Sequence, residues 1–337
     1  MRRLFALWIV LPLALMGCTG DAAVSPSPTT STPSSTSASP TPSPTPTPSP
    51  SPSPSPSPSP VDVLPAGVIN VLFFGTDSRD PKSLGGNADA IIVAQLSADR
   101  QSMTLVSIAR DTYVDYAGGG RGKINGSFPA GGTEKLRGTV SNLLGGLPIH
   151  YVVQANFTGF INITRWLDGF DVQNQKATSV TVQSTGRRVT FPAGTITLGG
   201  TDALIYSRER KTMPLGDLDR AQRHRAVLSG MVSRLKERLA EDPAGFAELL
   251  ASLYGNVKVT GPLDADALTG LVPAISAVDA GRVTSLMVPI RGFGTVNGAS
   301  VNLLDEARTA ALAAALMQGD VTGYVERYGA GYAPTGG

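Results

Sequence analysis

Apolar residues in this chain fall into compact runs separated by polar breaks. The first run is continuous, Val68-Ile69-Asn70-Val71-Leu72-Phe73-Phe74, and stops at Gly75-Thr76-Asp77. A strand covered on both faces reads this way, because neither side meets water. Runs at 90–96 and 103–109 flank the polar stretch Ser97-Ala98-Asp99-Arg100-Gln101-Ser102, which predicts a hairpin. Helical spacing covers 133–144 and 157–167, with a strand at 150–155 between them. Strands follow at 178–183 and 188–191; beyond them the pattern is mainly helical, with one late strand at 285–289. Interleaved strands and helices of this kind predict a layered α/β sandwich.

The composition divides the chain. Most of its 26 prolines lie in residues 25–60, a stretch of almost only Ser, Thr and Pro. Such a segment cannot bury apolar surface and favours polyproline II geometry, reaching on the order of 100 Å at ~3.1 Å per residue. A spacer of no defined length is the alternative. Ahead of it, Met1-Arg2-Arg3, an apolar stretch from Leu4 to Met16, and Gly17-Cys18 make a secretory signal over 1–17. That apolar stretch is too short at ~1.5 Å per residue to cross a hydrocarbon core of about 30 Å. Cys18 is the only cysteine and follows Leu15-Met16-Gly17, a frame that resembles a bacterial lipobox, so a lipidated Cys18 is expected. The competing reading is a plain cleaved signal with a chance cysteine. A single cysteine excludes an intramolecular disulfide and a thiolate metal site. The expected organisation is a lipidated linker over 18–60, a folded domain over 61–325 and a flexible tail over 326–337.

Hydrophobic residues make up 41% of the 337 positions, enough for one substantial core. The formal charge of +2 loses Arg2 and Arg3 with the signal, leaving 28 − 2 = 26 basic against 26 acidic residues. A neutral exported chain without a helix-turn-helix or zinc pattern is a poor partner for nucleic acid.

Apolar strands that end in polar residues mark one edge of the sheet as the place for chemistry. The first ends in Asp77-Ser78-Arg79-Asp80 and the third in Arg110-Asp111-Thr112-Tyr113. Asp89 precedes the second strand, so it meets Asp77 only if strands one and two run antiparallel. Two converging carboxylates without His or Cys suit Mg²⁺, which needs one or two of them plus phosphate oxygens. Residues 207–225 read SRERKTMPLGDLDRAQRHR, with Arg208, Arg210, Arg220, Arg223 and Arg225 in a short window. From Leu218 onward, Val227, Leu228, Met231, Val232, Leu235 and Leu239 define a buried stripe. Projected back, it passes through Arg220 and His224, with Arg223 on its rim. Cations on the inward face of a helix N-terminus form an anion site; ion pairing with Asp217, Asp219 or Glu209 is the alternative. If residues 202–206 continue as an extended stretch, Arg208 and Arg210 point the same way, and on a helix they diverge. Lys123-Ile124-Asn125-Gly126 adds a cation and an amide in a glycine-rich loop, or is ordinary turn chemistry.

The segments NVLFFGTDSR, NADAIIVAQL, TLVSIARDTYV, KING, LPIHYVVQANFTGF, FPAGTITLGGTDALIYSRER and GDLDRAQRH resemble the LytR-CpsA-Psr family in order and spacing, over about residues 67–320. The resemblance implies a three-layer α/β/α sandwich with a mixed central sheet and an apolar tunnel for a polyprenyl chain. It implies an extracytoplasmic phosphotransferase that moves a glycopolymer of the teichoic acid, capsule or arabinogalactan type from a polyprenyl pyrophosphate carrier to peptidoglycan. Asp77 and Asp89 match the family's magnesium ligands. Arg110, Arg208, Arg210 and Arg220 match its pyrophosphate-binding arginines, and Arg79, Lys123, Arg223 and His224 join that expected group. Asp111 is a candidate general base or the structural partner of Arg110. The alternatives are a polyprenyl-pyrophosphate pyrophosphatase and a non-catalytic polyprenyl-lipid-binding envelope protein. Three departures stand out: Asn87-Ala88-Asp89-Ala90 lacks a common arginine, His224 replaces a usual glutamine, and 165–170 reads Arg-Trp-Leu-Asp-Gly-Phe. A lipid anchor at the outer face of the cytoplasmic membrane stands in for the family's usual transmembrane helix.

Overall fold

The computed structural model of this protein describes residues 66–78, 80–252, 255–261, 274 and 276–336. The expected signal, Cys18, the Ser/Thr/Pro linker and Arg79 lie outside the described residues. Among the described residues no helix is long and apolar enough to cross a membrane.

Strand β1 (Ile69–Thr76) pairs antiparallel with β2 (Ala88–Leu96), which pairs antiparallel with β3 (Met103–Ser107). The hairpin predicted from the polar break is therefore present, closed by the Ser97 amide donating to the Ser102 carbonyl at 3.0 Å. Two short strands, β4 (Tyr113–Asp115) and β5 (Arg121–Lys123), precede helix α1 (Ser127–Leu143). That helix begins before the expected 133 and is interrupted at Gly131 and Gly132. Strand β6 (Tyr151–Ala155) lies parallel to β1 on its other side and leads into helix α2 (Phe157–Trp166). The Asn156 side chain caps α2 by accepting from the Gly159 amide at 2.9 Å.

A subsidiary layer follows: β7 (Phe170–Asn174), β8 (Thr178–Thr181), β9 (Arg188–Phe191) and β10 (Gly194–Leu198) pair as β7 with β10 and β8 with β9. Helices α3 (Gly200–Arg208), α4 (Asp217–Glu241) and α5 (Pro243–Ser252) come next. Strand β11 (Val257–Thr260) joins β6, and β12 (Val283–Met287) joins β3 in parallel. A hairpin of β13 (Ile290–Val296) and β14 (Ala299–Leu304) precedes α6 (Glu306–Gln318) and α7 (Thr322–Tyr328). The central sheet is six-stranded and mixed, in the order β11-β6-β1-β2-β3-β12.

The region after 191, expected to be mainly helical with one strand, also holds β10, β11, β13 and β14. Asn297 and Gly298 carry φ of 49° and 75° at the tip of the last hairpin, where a type I′ turn requires positive φ. The segment expected as a flexible tail is docked instead. Residues 326–328 complete α7, and the Thr335 and Gly336 amides donate to Ile290 and Arg291 carbonyls at 2.9 and 2.8 Å.

Both faces of the central sheet are covered, which fits the continuous apolar runs. Leu72, Phe74, Ile91, Val93 and Val106 pack on Leu136 and Val140 of α1 and on Leu312 and Leu316 of α6. On the opposite face Phe73, Ile92, Ala94 and Leu105 meet Leu228 of α4. The far side of α4 packs Val227, Ala226, Met231 and Leu235 against Phe170, Leu198 and Tyr206. Approach there is close: a Cβ on Gly230 would stand 2.3 Å from the Asp171 carbonyl oxygen. Helix α4 is thus enclosed between two layers over its first turns, and this placement builds the site.

Candidate functional site

Antiparallel pairing of β1 and β2 meets the condition for Asp77 and Asp89 to share an edge. Gly75 faces Ala90 and Thr76 faces Ala88, so Asp89 is the extra residue of a β-bulge. Bulges re-aim side chains and concentrate beside active sites. Beyond the last ladder pair, Asp77 Oδ1 accepts from the Asn87 amide at 2.8 Å. Gly86 makes this approach feasible: its φ is +100°, and a Cβ there would stand 2.3 Å from Asp77 Oδ1. Because Asn87 acts through its backbone, the missing family arginine at this position leaves the bond intact.

Arg110 is the hub. Its Nη1 donates to both Asp89 oxygens at 2.8 and 2.9 Å. Its Nε lies 3.8 Å from Asp111 Oδ2 and 3.6 Å from Asp217 Oδ1. Lys123 Nζ is 3.0 Å from Asp111 Oδ1. Asp217, at the first position of α4, forms an ion pair with Arg220 one turn on. The chain therefore interleaves Arg110, Lys123 and Arg220 with Asp89, Asp111 and Asp217. Asp111 thus has a cation at each of its two oxygens.

The electrostatics are uneven. Burial opposes the charge on Arg110, yet bonded Asp89, with Asp217 and Asp111, holds the guanidinium above its ordinary value. Burial raises Asp217 despite the opposing pull of Arg220, Arg110 and Arg210. Burial also lowers Arg220, and nearby Arg110 and Arg210 add to that against the pull of Asp217 and Asp89. Arg110 Nε and both carboxylate oxygens of Asp217 are buried without a hydrogen bond of good geometry. Cations crowded together with orphaned buried polar atoms are poised for a further ligand.

The remaining expected residues divide. Residues 202–206 are helical, so the extended arrangement of Arg208 and Arg210 is not found. Arg208 ends α3 with its guanidinium 4.4 Å from the Phe157 ring centroid, while the charge of Arg210 reaches Asp217 and Arg220. Arg223, expected on the rim of the stripe, is instead 1% exposed. It donates to Thr178 Oγ1 at 2.7 Å and to the Lys176 carbonyl at 3.3 Å, with its guanidinium 4.1 Å from the Tyr206 ring centroid. These partners place it outside the ion-pair cluster around Arg110; the amphipathic projection assumes one buried face, and α4 has two. His224 Nε2 lies 2.8 Å from the Ser207 carbonyl, so Nε2 carries the proton. Protein packed around the ring, with Arg220 next in weight, pushes its pKa down to about 3 although the residue keeps partial exposure.

Arg225, in the same basic window, does not join the cluster around Arg110. It is 2% exposed and donates from Nε to Ser285 Oγ at 2.8 Å and from Nη1 to Ser107 Oγ. Asp219, expected as an ion-pair partner, is 1% exposed and caps the loop before α4 by accepting from the Leu215 amide at 2.7 Å. The acid at the third helical position was the available signal for it.

A mixed sheet enclosed by helices, with an Asp/Arg cluster at the edge where β1, β2, β3 and the start of α4 meet, defines an α/β protein with a charged site at one sheet edge. The chain matches the LytR_cpsA_psr family over residues 36–318 and belongs to it. It is 31% identical over 262 residues to a polyisoprenyl-teichoic acid–peptidoglycan teichoic acid transferase TagU of Bacillus licheniformis, covering 77% of this chain and 80% of that one. A TagU of the same description from Bacillus cereus is 34% identical over 191 residues, 56% of this chain, and the chain spans 59% of that relative's length. The crystal structure of B. subtilis TagV superposes with a TM-score of 0.63 at 25% identity, covering 76% of this chain and 98% of that one.

Proposed function

We propose that this protein is an extracytoplasmic phosphotransferase that moves a glycopolymer from a polyprenyl pyrophosphate carrier to peptidoglycan, anchored to the membrane through a lipid on Cys18. The observation that carries the reading is the cluster of Arg110, Lys123, Arg210 and Arg220 around carboxylates and orphaned polar atoms at one sheet edge, in a member of a family whose matched relatives are described as teichoic acid transferases.

In this reading the arginines bind and orient the pyrophosphate, and guanidinium forks suit its oxygens. An acceptor hydroxyl on peptidoglycan attacks the glycan-bearing phosphorus. Its O–P bond forms as the bond to the polyprenyl phosphate breaks, that phosphate leaves with the bonding pair, and the hydroxyl proton passes to a carboxylate of the site. Positioning and charge stabilisation supply most of the rate in such transfers. Asp77 and Asp89, hard oxygen donors on adjacent strands, fit Mg²⁺ in number and kind if Asp89 exchanges its bond to Arg110. When bound, Mg²⁺ would neutralise developing charge on the phosphate oxygens.

The carrier chain is proposed to lie between the sheet and α4 in an apolar tunnel. Phe73 of the sheet and Leu228 of α4 support this, since they face each other between these layers and are apolar yet only partly buried. The test is glycan transfer from a polyprenyl pyrophosphate-linked donor to peptidoglycan by the full chain and by Arg220→Ala. Transfer that falls at least about a hundredfold in the variant, as for loss of a charge-stabilising donor, is expected. Release of phosphate without transfer, or equal transfer by both proteins, overturns the reading.

A further inference from the structure

Residues 329–336 run back from α7 towards the start of α4. Tyr332 donates its hydroxyl to Asp219 Oδ1 at 2.9 Å. The other oxygen of that buried carboxylate holds the Leu215 amide at 2.7 Å, so one side chain ties the segment to the loop ahead of α4. Arg210 lies on that loop, and Arg220 follows Asp219 directly. The Tyr332 ring packs with Ala109, Leu218, Ala221, Met287 and Ile290, a group that includes the chain neighbours of Arg110 and Arg220. The Arg225 guanidinium lies 5.6 Å from the ring centroid. Thr335 fastens the end of the segment, donating its hydroxyl to Asp305 Oδ2 at 2.5 Å.

We propose that the segment 329–336 is a strap in which Tyr332 is a positioning residue: it fixes Asp219, and through Asp219 holds the loop 209–216 and the first turn of α4 in register with Arg110. No strap residue belongs to the group of arginines assigned to the anion. The Tyr332 hydroxyl acts one bond removed, which distinguishes it from the arginines. The inference rests on the proposed role of Arg110, Arg210 and Arg220 in binding pyrophosphate. Burial, followed by the bond to Asp219, pushes the Tyr332 pKa up to about 12, so the hydroxyl remains a donor at every working pH.

The experiment titrates farnesyl pyrophosphate into the full chain in detergent, comparing wild type, Tyr332→Phe and Arg220→Ala, at a temperature far below each thermal midpoint. Amide exchange is followed at Leu215 and Gly216. Tyr332→Phe removes the hydroxyl and keeps the ring, so the fold survives. Expected are an affinity about three- to tenfold weaker, part of the energy of one hydrogen bond to a charged acceptor, and faster exchange at Leu215. If wild type and Arg220→Ala bind alike, the pyrophosphate reading itself fails. If Arg220→Ala loses binding while Tyr332→Phe binds like wild type, the strap proposal alone is overturned. A lowered midpoint with unchanged affinity and exchange would make Tyr332 merely structural and likewise overturn it.

Discussion

Replacing His224 with glutamine is expected to make the protein more resistant to acid. The neutral ring donates from Nε2 to the Ser207 carbonyl and is surrounded by Arg220, Arg225 and Arg110, so its pKa falls to about 3. In the unfolded chain a histidine titrates near 6.5. Below that value the unfolded state takes up a proton that the folded state refuses, so stability falls with pH from about 6.5 down to about 3 and then levels off. At pH 5 the histidine term amounts to about 1.36 × 1.5, or about 2 kcal/mol, and it does not depend on the exact folded value as long as that lies well below 5. Glutamine can donate to the same carbonyl and carries no titrating proton. His150, the other histidine, is also lowered, by burial, and its Nδ1 accepts from the Asn70 amide, but it contributes equally to both proteins. Urea unfolding of wild type and His224→Gln at pH 7.5 and pH 5 isolates the effect. Wild type should lose about 2 kcal/mol more than the variant between the two conditions. A difference below about 0.5 kcal/mol would mean that water reaches the ring and that the depressed pKa is wrong.

Asp77→Asn and Asp89→Asn should each keep the fold and lose Mg²⁺-dependent transfer, with partial recovery as Mg²⁺ is raised; wild-type turnover indifferent to chelator refutes the metal role. Gly86→Ala should reproduce the Asp77→Asn defect and destabilise by about 1–3 kcal/mol, because the new Cβ meets Asp77 Oδ1 at a strained φ. Full activity in that variant would show that the Asp77 position is not critical. Arg223→Met should lower stability by about 2–4 kcal/mol, leaving Thr178 and the Lys176 carbonyl without their donor, while farnesyl pyrophosphate binding suffers less than in Arg220→Ala. The opposite ranking would return Arg223 to the anion site.

Much of this site was legible because local pattern and tertiary placement agree. Continuous apolar runs identified β1, β2 and β3 as covered strands, and their polar ends fixed the edge where Asp77, Asp89 and Arg110 gather. Helical periodicity turned Arg220 inward correctly. It failed at Arg223 because a stripe describes a helix with one buried side, and α4 is enclosed by the sheet and by the layer of β7 and β10. The β13–β14 hairpin was missed for another reason. Its glycines dilute the apolar signal, although Asn297-Gly298 carried the turn chemistry in plain view. Tyr332 had no local signal at all, since its partner Asp219 lies 113 residues away in sequence.

The charge arrangement constrains how the proposed donor can bind. Arg110, Lys123, Arg210 and Arg220 face Asp89, Asp111 and Asp217, so most of their charge is compensated before any ligand arrives. A pyrophosphate brings at least two negative charges into a partly buried site, where uncompensated charge is costly. Exposed Arg208 can turn from the Phe157 ring to supply one compensating charge, and a divalent ion at Asp77 and Asp89 supplies two. Metal and donor affinities are therefore linked in this proposal, each raising the other by the same factor. The bond from Arg110 to Asp89 gives the linkage a route: an ion that takes over Asp89 releases Arg110 towards the phosphate, and a phosphate that draws Arg110 away frees Asp89 for the ion. A cluster of unpaired arginines would bind the anion without the metal. In the proposed mechanism this cluster, largely neutralised by its own carboxylates, binds the two together.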